Sequence, residues 1–275
     1  MAADGQAAND RYEVVIVKYG TRSTVKSDVF LNYHVYGEPD QPIEMDYFFW
    51  VVRNRERTVV VDTGFSRAGG TARKRTFLVD PARAFAALGV SASAASSVVV
   101  THAHYDHIGN LGLFPQSELV MAESEYDFWT GRHATRAQFH HSVEDEELEH
   151  LVAARREGRV TAFRGEHDLA PGIRIIEVGG HTPGQSVVQV NTSDGPVLLA
   201  SDAIHYDEEY ERDRPFAYVA DVVEMYAAFD RVRDMIESGE VRHVVAGHDP
   251  GTLGRFTPVT GELAGFAASI GHIDE

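Results

Sequence analysis

Three histidines and an aspartate lie within six residues of the chain, directly after a short apolar run. The segment reads Val98-Val-Val-Thr-His-Ala-His-Tyr-Asp-His-Ile-Gly-Asn110. Such an apolar run is typical of a buried strand, and a strand end is a rigid position from which to direct ligands at an ion. Imidazole nitrogens and carboxylate oxygens suit Zn²⁺ or a similar first-row ion. The predicted ligands in this segment are His102, His104, Asp106 and His107.

Three later segments each carry one further candidate ligand. His181 lies in Gly-Gly-His-Thr-Pro-Gly, Asp202 follows the apolar run Val-Leu-Leu-Ala-Ser, and His248 follows Val-Val-Ala-Gly. These segments are distant in the chain, so only a fold can bring them together. Seven donors exceed the needs of one ion, which favours a pair of ions about 3.5–4 Å apart. Such a pair needs a shared anionic ligand, and we predict that Asp202 is that bridge.

The His-x-His-x-Asp-His run, followed in order by a His, an Asp and a His, resembles the metallo-β-lactamase superfamily. The resemblance extends from the turn Asp62-Thr-Gly to His248. It implies an α/β fold of the αββα sandwich type, in which two mixed β-sheets are flanked by helices. It also implies two divalent metal ions per chain, with Zn²⁺ as the expected ion. The implied ligands are His102, His104 and His181 for the first ion, Asp106, His107 and His248 for the second, and Asp202 for both.

Asp62 is predicted to support the ligands from outside. Metal-bound histidines usually donate their second ring nitrogen to a carboxylate or a carbonyl group. Because the turn Asp62-Thr-Gly matches an early turn of the superfamily, we expect the Asp62 carboxylate to orient a ligand imidazole. The alternative is a plain aspartate turn that stabilises a strand end.

The residues after the predicted bridge resemble the N-acyl homoserine lactone lactonase branch of the superfamily. Ser-Asp-Ala around Asp202 and the downstream Arg214-Pro-Phe carry this resemblance. It implies a small-molecule lactone substrate, a quorum-quenching activity, and ring opening by a hydroxide that bridges the two metals. In that branch a tyrosine three residues after the bridge contacts the substrate. This chain has His205 at that position and Tyr206 beside it, and either side chain is a candidate.

The predicted catalytic residues combine metal ligands and proton carriers. Asp106 and Asp202 hold the ions, whereas His205 or Tyr206 would return a proton to the leaving oxygen, a task that suits a histidine with a pKa near neutrality. An acyl chain also needs an apolar wall. The candidates for that wall are Phe65, Phe77, Phe128 and Trp129.

Composition argues against several partners. The 275 residues include 42 Asp and Glu against 25 Lys and Arg, and the formal net charge of −17 would repel nucleic acid. No run approaches the length of a membrane span, and the first residues do not resemble a secretory signal. We therefore expect a cytoplasmic protein without nucleic-acid or membrane partners. A homodimer is compatible with these features. The absence of cysteine excludes thiolate ligands.

The chain is predicted to contain one folded domain. Residues 1–11 are expected to form a flexible arm and residues 12–275 a metallo-β-lactamase-like domain, with an inserted helical pair at about 124–158. Runs rich in Val, Tyr and Phe between turn residues predict N-terminal strands. These runs are Tyr12–Lys18, Phe30–Tyr36, Met45–Arg53 and Thr58–Asp62.

Helix signals stand out at three further places. Asp80-Pro81 combines a capping residue with a proline at the first helical position, and Gly89 ends that helix. Residues 106–114 predict a short helix that begins inside the metal motif. Residues 221–239 have apolar side chains at helical spacing and predict the clearest amphipathic helix.

The same ligand set is compatible with other activities. Within the superfamily the alternatives are a thioesterase of the glyoxalase II type, a hydrolase of another lactone, a true β-lactamase and a single-iron dioxygenase. The segment Phe256–Glu275 lacks the basic patch expected of the thioesterase. Outside enzymes, a metal-binding sensor module is the alternative, and metal content discriminates it from a two-metal hydrolase.

Overall fold

Two β-sheets pack face to face in the computed structural model, which describes residues 10–91 and 95–273. Within those residues one sheet has nine strands and the other has five. The strands of the first sheet are β1 (Glu13–Val25), β2 (Pro42–Arg53), β3 (Thr58–Val61), β4 (Thr76–Phe77), β5 (Ser97–Val99), β6 (Glu118–Ala122), β7 (Val160–Phe163), β13 (Thr257–Pro258) and β14 (Ala267–Ile270). The strands of the second sheet are β8 (Glu166–Ala170), β9 (Ile173–Glu177), β10 (Ser186–Thr192), β11 (Gly195–Ser201) and β12 (His243–Ala246).

Both sheets mix parallel and antiparallel pairs. The first runs β13-β14-β1-β2-β3-β5-β6-β7, with β4 paired to β1, and the second runs β12-β11-β10-β9-β8. β3, β5, β6 and β7 are mutually parallel, and so are β11 and β12. Because the carboxyl ends of parallel strands meet at one edge of a sheet, residues that follow these strands are brought together.

Three apolar cores result from the alternation of side chains along the strands. On β1, Val14 and Ile16 face the core between the two sheets, whereas Val15 and Val17 face the outer core of the first sheet. On β11, Leu199 faces the central core and Leu198 the outer core of the second sheet. Each sheet is therefore covered on both faces, as a layered sandwich requires.

Helices cover the outer faces. The α-helices of the described residues are α1 (Lys26–Val29), α2 (Arg67–Ala72), α3 (Pro81–Ala87), α4 (Tyr105–Ile108), α5 (Glu123–Trp129), α6 (Ala137–His140), α7 (Asp145–Arg156), α8 (Asp207–Arg212) and α9 (Val222–Glu237). Asp80 caps α3 through the backbone N–H groups of Ala82 and Arg83, as the sequence predicts. α9 places Met225 and Phe229 against the second sheet. The predicted αββα architecture is confirmed.

Several local predictions were wrong. Residues 30–36 form no strand: Phe30 makes an isolated bridge, and Tyr33–Tyr36 is a 3-10 helix because Asn32 and Gly37 both adopt left-handed backbone angles. Residues 106–114 divide into α4 and a 3-10 turn at Leu111–Leu113. The inserted segment at 124–158 contains three α-helices, α5, α6 and α7, instead of two.

The predicted flexible arm at residues 1–11 falls largely outside the described residues. Of the described part of the chain, no helix is both long and apolar enough to cross a membrane.

Candidate metal centre

The histidine-rich segment forms a turn and a short helix at the end of β5. That strand ends at Val99, and α4 begins at Tyr105 with His104 at its N-cap. The segment is enclosed by protein, because His102 and His107 are 0% and 1% exposed and Asp106 is 6% exposed. Buried polar side chains require partners, so this concentration of imidazole and carboxylate groups needs a physical explanation.

The three later candidates also follow strand ends. His181 lies after β9, Asp202 directly after β11, and His248 after β12. β11 and β12 are parallel neighbours, so Asp202 and His248 emerge at the same edge of the second sheet. The backbone of Ser201 adopts a φ of 46°, a left-handed value that is sparsely populated for non-glycine residues. Such local strain persists where the surrounding fold fixes the direction of a functional side chain.

The seven predicted donors converge into two groups. Within each group the candidate ligand atoms lie within 4.8 Å of one another. The first group is His102, His104, His181 and Asp202, and the second is Asp106, His107 and His248. This division matches the two sets of ligands implied by the sequence, with Asp202 grouped beside the first set.

Asp202 lies between the two groups. Its Oδ1 is 3.1 Å from His248 Nε2 and 3.2 Å from His107 Nε2. Its Oδ2 is 3.4 Å from His181 Nε2 and 3.7 Å from His102 Nε2. Oδ2 also lies 3.3 Å from His248 Nε2. The carboxylate therefore contacts histidines of both groups, as a bridging ligand requires.

The protonation states of the first group suit metal binding. Burial, reinforced by neighbouring histidines, lowers the pKa of His102 and His181 well below the usual value, and it lowers the pKa of His104 to about 3. Burial alone would raise the pKa of Asp202, but the histidines around it, His248 foremost, hold its pKa well below the usual value. Neutral imidazoles and an ionised carboxylate are the forms that ligate metals.

Unsatisfied polar atoms point into the same space. His102 Nε2, His107 Nε2 and Asp202 Oδ1 are buried and make no hydrogen bond of normal geometry within the described residues. Leaving one buried polar atom without a partner costs about 1–3 kcal/mol. Cations placed between these atoms would give each of them a partner. The donor set therefore fits two divalent ions.

Outer contacts fix the rings of the second group. His107 Nδ1 is 2.7 Å from Asp62 Oδ2, and His248 Nδ1 is 2.7 Å from the carbonyl oxygen of Asp46. Asp62 also accepts hydrogen bonds from the backbone N–H and the hydroxyl of Thr101. With their Nδ1 atoms engaged in this way, both rings turn Nε2 toward Asp202. The carboxylate of Asp62 therefore lies against the ring of a candidate ligand, His107.

A cavity of about 490 Å³ opens onto this centre. His104, Asp106, His181 and Asp202 form part of its wall. The remaining lining residues are Arg22, Ser23, Met45, Tyr47, Arg73, Lys74, Arg75, Tyr105, His141, Ser142, Phe216 and Tyr218. The volume is that of an ordinary small-molecule site.

The four aromatic residues proposed for the pocket do not line this cavity. Phe65 is fully buried, and its ring packs edge-on against that of Tyr47, which does line it. Phe77 packs edge-on against Phe65, one layer further out. Trp129 lies beside the ring of His104, with a centroid distance of 5.6 Å. Phe128 then packs edge-on against Trp129. These rings support the wall from behind.

The family assignment follows from comparison with known proteins. The sequence model of the metallo-beta-lactamase superfamily matches residues 46–248. The chain belongs to this superfamily. An N-acyl homoserine lactonase from a Bacillus species is 27% identical over 121 residues, which are 44% of this chain and 43% of that protein. The N-acyl homoserine lactonase AiiB of Agrobacterium fabrum is 32% identical over 173 residues, 59% of each chain. The chain thus spans about half the length of these curated relatives.

Solved structures of the superfamily share the fold over nearly the whole chain. AidC, described as a dizinc quorum-quenching lactonase, superposes with a TM-score of 0.70 over 96% of this chain and 95% of its own. The sequence identity is 20%. Similarity at this level of identity shows the common architecture of two sheets and flanking helices.

His205 and Tyr206, the two candidates for contact with substrate, have different surroundings in the structure. His205 is fully buried, with Nε2 3.2 Å from Asp202 Oδ2 and Nδ1 3.1 Å from Glu209 Oε2, and its ring stacks on that of Phe216. Burial lowers its pKa, but Glu209 and Asp202 together raise it to about 9. Tyr206 donates its hydroxyl to the carbonyl oxygen of Glu44. Neither side chain lines the cavity.

Glu125 is a site residue that sequence reasoning missed. This buried carboxylate on α5 accepts hydrogen bonds from Ala103 N at 2.8 Å and Trp129 Nε1 at 2.7 Å. It also accepts from Thr182 Oγ1 at 2.7 Å and Gly184 N at 3.0 Å. It therefore joins the loop that carries two histidines of the first group to the loop that carries the third. In the sequence Glu125 is an acidic residue in a segment that predicts a helix. Such a residue is usually exposed to solvent, so nothing marked it as part of the site.

Proposed function

We propose that this protein is a two-metal hydrolase that opens the ring of an N-acyl homoserine lactone. The observation that carries the proposal is the Asp202 carboxylate between two groups of buried donors, at the base of a small-molecule cavity. The names of the two curated relatives support the substrate. Hydrolysis of another lactone is the nearest alternative.

Two ions held by these groups are proposed to be Zn²⁺. Histidine nitrogens and carboxylate oxygens, with no thiolate among them, form a donor set that zinc accepts readily. When bound, such a pair supplies Lewis acidity for an ester carbonyl and a nucleophile at neutral pH. In this proposal His102, His104 and His181 hold one ion, Asp106, His107 and His248 hold the other, and Asp202 bridges them.

The roles of the remaining residues follow from what they touch. Because His205 contacts Asp202 and is closed off from the cavity, we propose that it positions the bridging carboxylate. Tyr47 lines the cavity beside the ring of His248, at a centroid distance of 5.0 Å. Burial raises the pKa of Tyr47 to about 12, so its hydroxyl stays protonated and can donate a hydrogen bond to a substrate oxygen. Tyr47 therefore replaces Tyr206 in the proposed contact with substrate.

Proton release tests the activity directly. Opening a lactone at neutral pH releases one proton per turnover, so a pH-stat can compare short and long N-acyl homoserine lactones with a plain γ-lactone, an acyl thioester and a cephalosporin. We expect the N-acyl homoserine lactones to react fastest. Turnover of the thioester alone would overturn the lactone proposal, and turnover of none of the five would overturn the hydrolase proposal.

Metal content provides the second arm of the test. We expect about two zinc ions per purified chain, and we expect His104→Ala to lower the metal content and abolish turnover. His34→Ala, at an exposed histidine outside the centre, serves as the matched control. Two ions and full turnover in His104→Ala would contradict the ligand assignment.

A cytoplasmic location and a homodimer remain predictions from the sequence. Sedimentation analysis measures the oligomeric state.

A further inference from the structure

Basic side chains form one wall of the cavity, in a chain that is strongly acidic overall. Arg22 projects from β1, and Arg73, Lys74 and Arg75 come from the segment between α2 and β4. The chain carries 42 acidic against 25 basic residues, so four cations on one cavity wall run against its composition. Among the residues that the structure describes, two acidic ones line the same cavity, and both are metal-ligand candidates at its base.

Three of the four cations have no carboxylate partner. Arg73 pairs with Glu144 and also donates to the carbonyl oxygens of His141 and Val143, so structural contacts occupy it. In contrast, Arg22, Lys74 and Arg75 form no ion pair within residues 10–91 and 95–273. Arg22 and Arg75 are half-buried, whereas Lys74 is exposed at the rim, and charged groups that are partly enclosed and unpaired are costly. A ligand that carries negative charge would remove this cost.

Two hydrogen bonds hold the guanidinium of Arg75 in place and leave its Nη2 available to bind a ligand. Its Nε donates to Tyr105 Oη at 2.9 Å, and its Nη1 donates to the carbonyl oxygen of Arg73 at 2.8 Å. Nη2 makes no further hydrogen bond with the described residues. Arg22 is similar, since its Nη2 donates to Thr24 Oγ1 at 2.9 Å and its Nε and Nη1 make no hydrogen bond with the part of the chain that the structure describes. Guanidinium groups fixed in this way recognise oxyanions in a defined orientation.

Tyr47 sets the separation between this wall and the metal centre. Its ring lies 5.0 Å from that of His248 on one side and 5.7 Å from the Arg75 guanidinium carbon on the other. The wall is therefore one aromatic ring away from the centre. A ligand whose reacting group lies at the metals would reach Arg22 and Arg75 with atoms several bonds away from that group.

We propose that the substrate carries an oxyanion, a carboxylate or a phosphate, at the end remote from the bond that is hydrolysed, and that Arg22, Lys74 and Arg75 bind it. This inference rests on the proposed hydrolase function and narrows its substrate class to lactones whose acyl chain carries an anionic group. The basic wall also explains how an acidic protein admits an anionic substrate, because a local positive potential steers the ligand into the cavity.

Equilibrium binding to the zinc-loaded protein tests the wall without any ring opening. Hexanoate and adipate have the same length and differ by a second carboxylate, and so do octanoate and suberate. In calorimetric titrations we expect at least one dicarboxylate to bind about tenfold or more tightly than its monocarboxylate partner, since a charge-assisted hydrogen bond contributes at least this much. 6-Phosphonohexanoate and 8-phosphonooctanoate then show whether the wall prefers phosphate to carboxylate.

Variants of the basic residues test whether the wall causes the preference for dicarboxylates over monocarboxylates. In Arg22→Gln and Arg75→Gln we expect the ratio of the two dissociation constants to fall toward one, whereas Arg67→Gln should keep the parental ratio. Arg67 lies close by on α2, is mostly exposed and does not line the cavity. Because both ligands are measured on the same protein, a general loss of folding would not imitate this change.

Two outcomes would overturn the inference. Dicarboxylates, monocarboxylates and phosphonates that bind within twofold of one another, or that fail to bind, would show that the wall recognises no anion. A preference that persists in both cavity variants would place the recognition elsewhere. The proposed hydrolase function fails separately, through the absence of proton release from any lactone, because the titrations require no turnover.

Discussion

Replacing Glu125 by glutamine tests whether one buried carboxylate holds the loops of the first ligand group together. Glutamine keeps the size of the side chain but presents an NH₂ group to two of the four donors that now meet the carboxylate. Two hydrogen bonds to a charged acceptor are lost, each worth about 1.5–3 kcal/mol. Burial raises the pKa of Glu125, so removing the charge returns part of this loss. We expect the free energy of unfolding to fall by about 2–4 kcal/mol.

Thermal unfolding of the metal-free protein measures this loss. For a chain of this size the expected change lowers Tm by about 5–10 °C. Zinc titration should show weaker binding at the group of His102, His104 and His181, because Glu125 orders the loops on both sides of it. Glu123→Gln is the matched control, since Glu123 lies on the same helix and makes only a surface ion pair with Arg164. A Glu125→Gln protein with the Tm and zinc affinity of the parent would refute the reasoning.

Four further changes probe the centre and the cavity. Asp62→Asn should weaken zinc binding at both sites by about 10–100-fold in a chelator competition, because His107 and the Thr101 contact to Ser201 lose the carboxylate that holds them; equal affinity would exclude this role. Gly184→Ala should lower Tm, since a Cβ there would lie 2.4 Å from the backbone nitrogen of Glu125, and an unchanged melt would contradict that contact. Tyr47→Phe should lower kcat by about 100–1,000-fold in the proton-release assay, while unchanged kcat would remove Tyr47 from the reaction. Adding EDTA should lower Tm, because bound ions stabilise the native state by about 2.7 kcal/mol at a hundredfold excess over Kd; a Tm insensitive to EDTA would argue against bound metal.

The sequence could indicate the candidate ligands, which the structure brings together, because their signal is local and chemical. A dense run of donors after an apolar strand predicts both a position and a function, and the order of His181, Asp202 and His248 adds the remaining ligands. The parallel pair β3–β5 of the first sheet and the parallel pair β11–β12 of the second sheet then deliver these segments to the site. The fold was likewise predictable from the resemblance, since the ligand order is tied to one arrangement of strands.

The cavity wall could not be predicted in the same way. Phe65 and Tyr47 are both buried aromatic residues on neighbouring segments, and only the direction of each side chain decides which one reaches the cavity. Arg22 lies within β1, where inward and outward residues alternate, but a β-bulge between Lys18 and Gly20 shifts that alternation. A one-residue shift reverses the face of every later side chain. Residues 30–36 show a related limit, since aromatic composition predicted a strand where Asn32 begins a 3-10 helix.

Two buried carboxylates connect the sheets on either side of the metal centre, and each serves a different ligand group. Asp62, at the end of β3, holds His107 and Thr101, and Thr101 continues to Ser201 of the second sheet through a 2.8 Å hydroxyl contact. Glu125 binds the loops of the first group across the same interface. Since Asp202 follows Ser201 directly, the position of the bridge depends on the Asp62 network more than on Glu125. Loss of Asp62 should therefore disturb both ions through the bridge, whereas loss of Glu125 should act mainly on one.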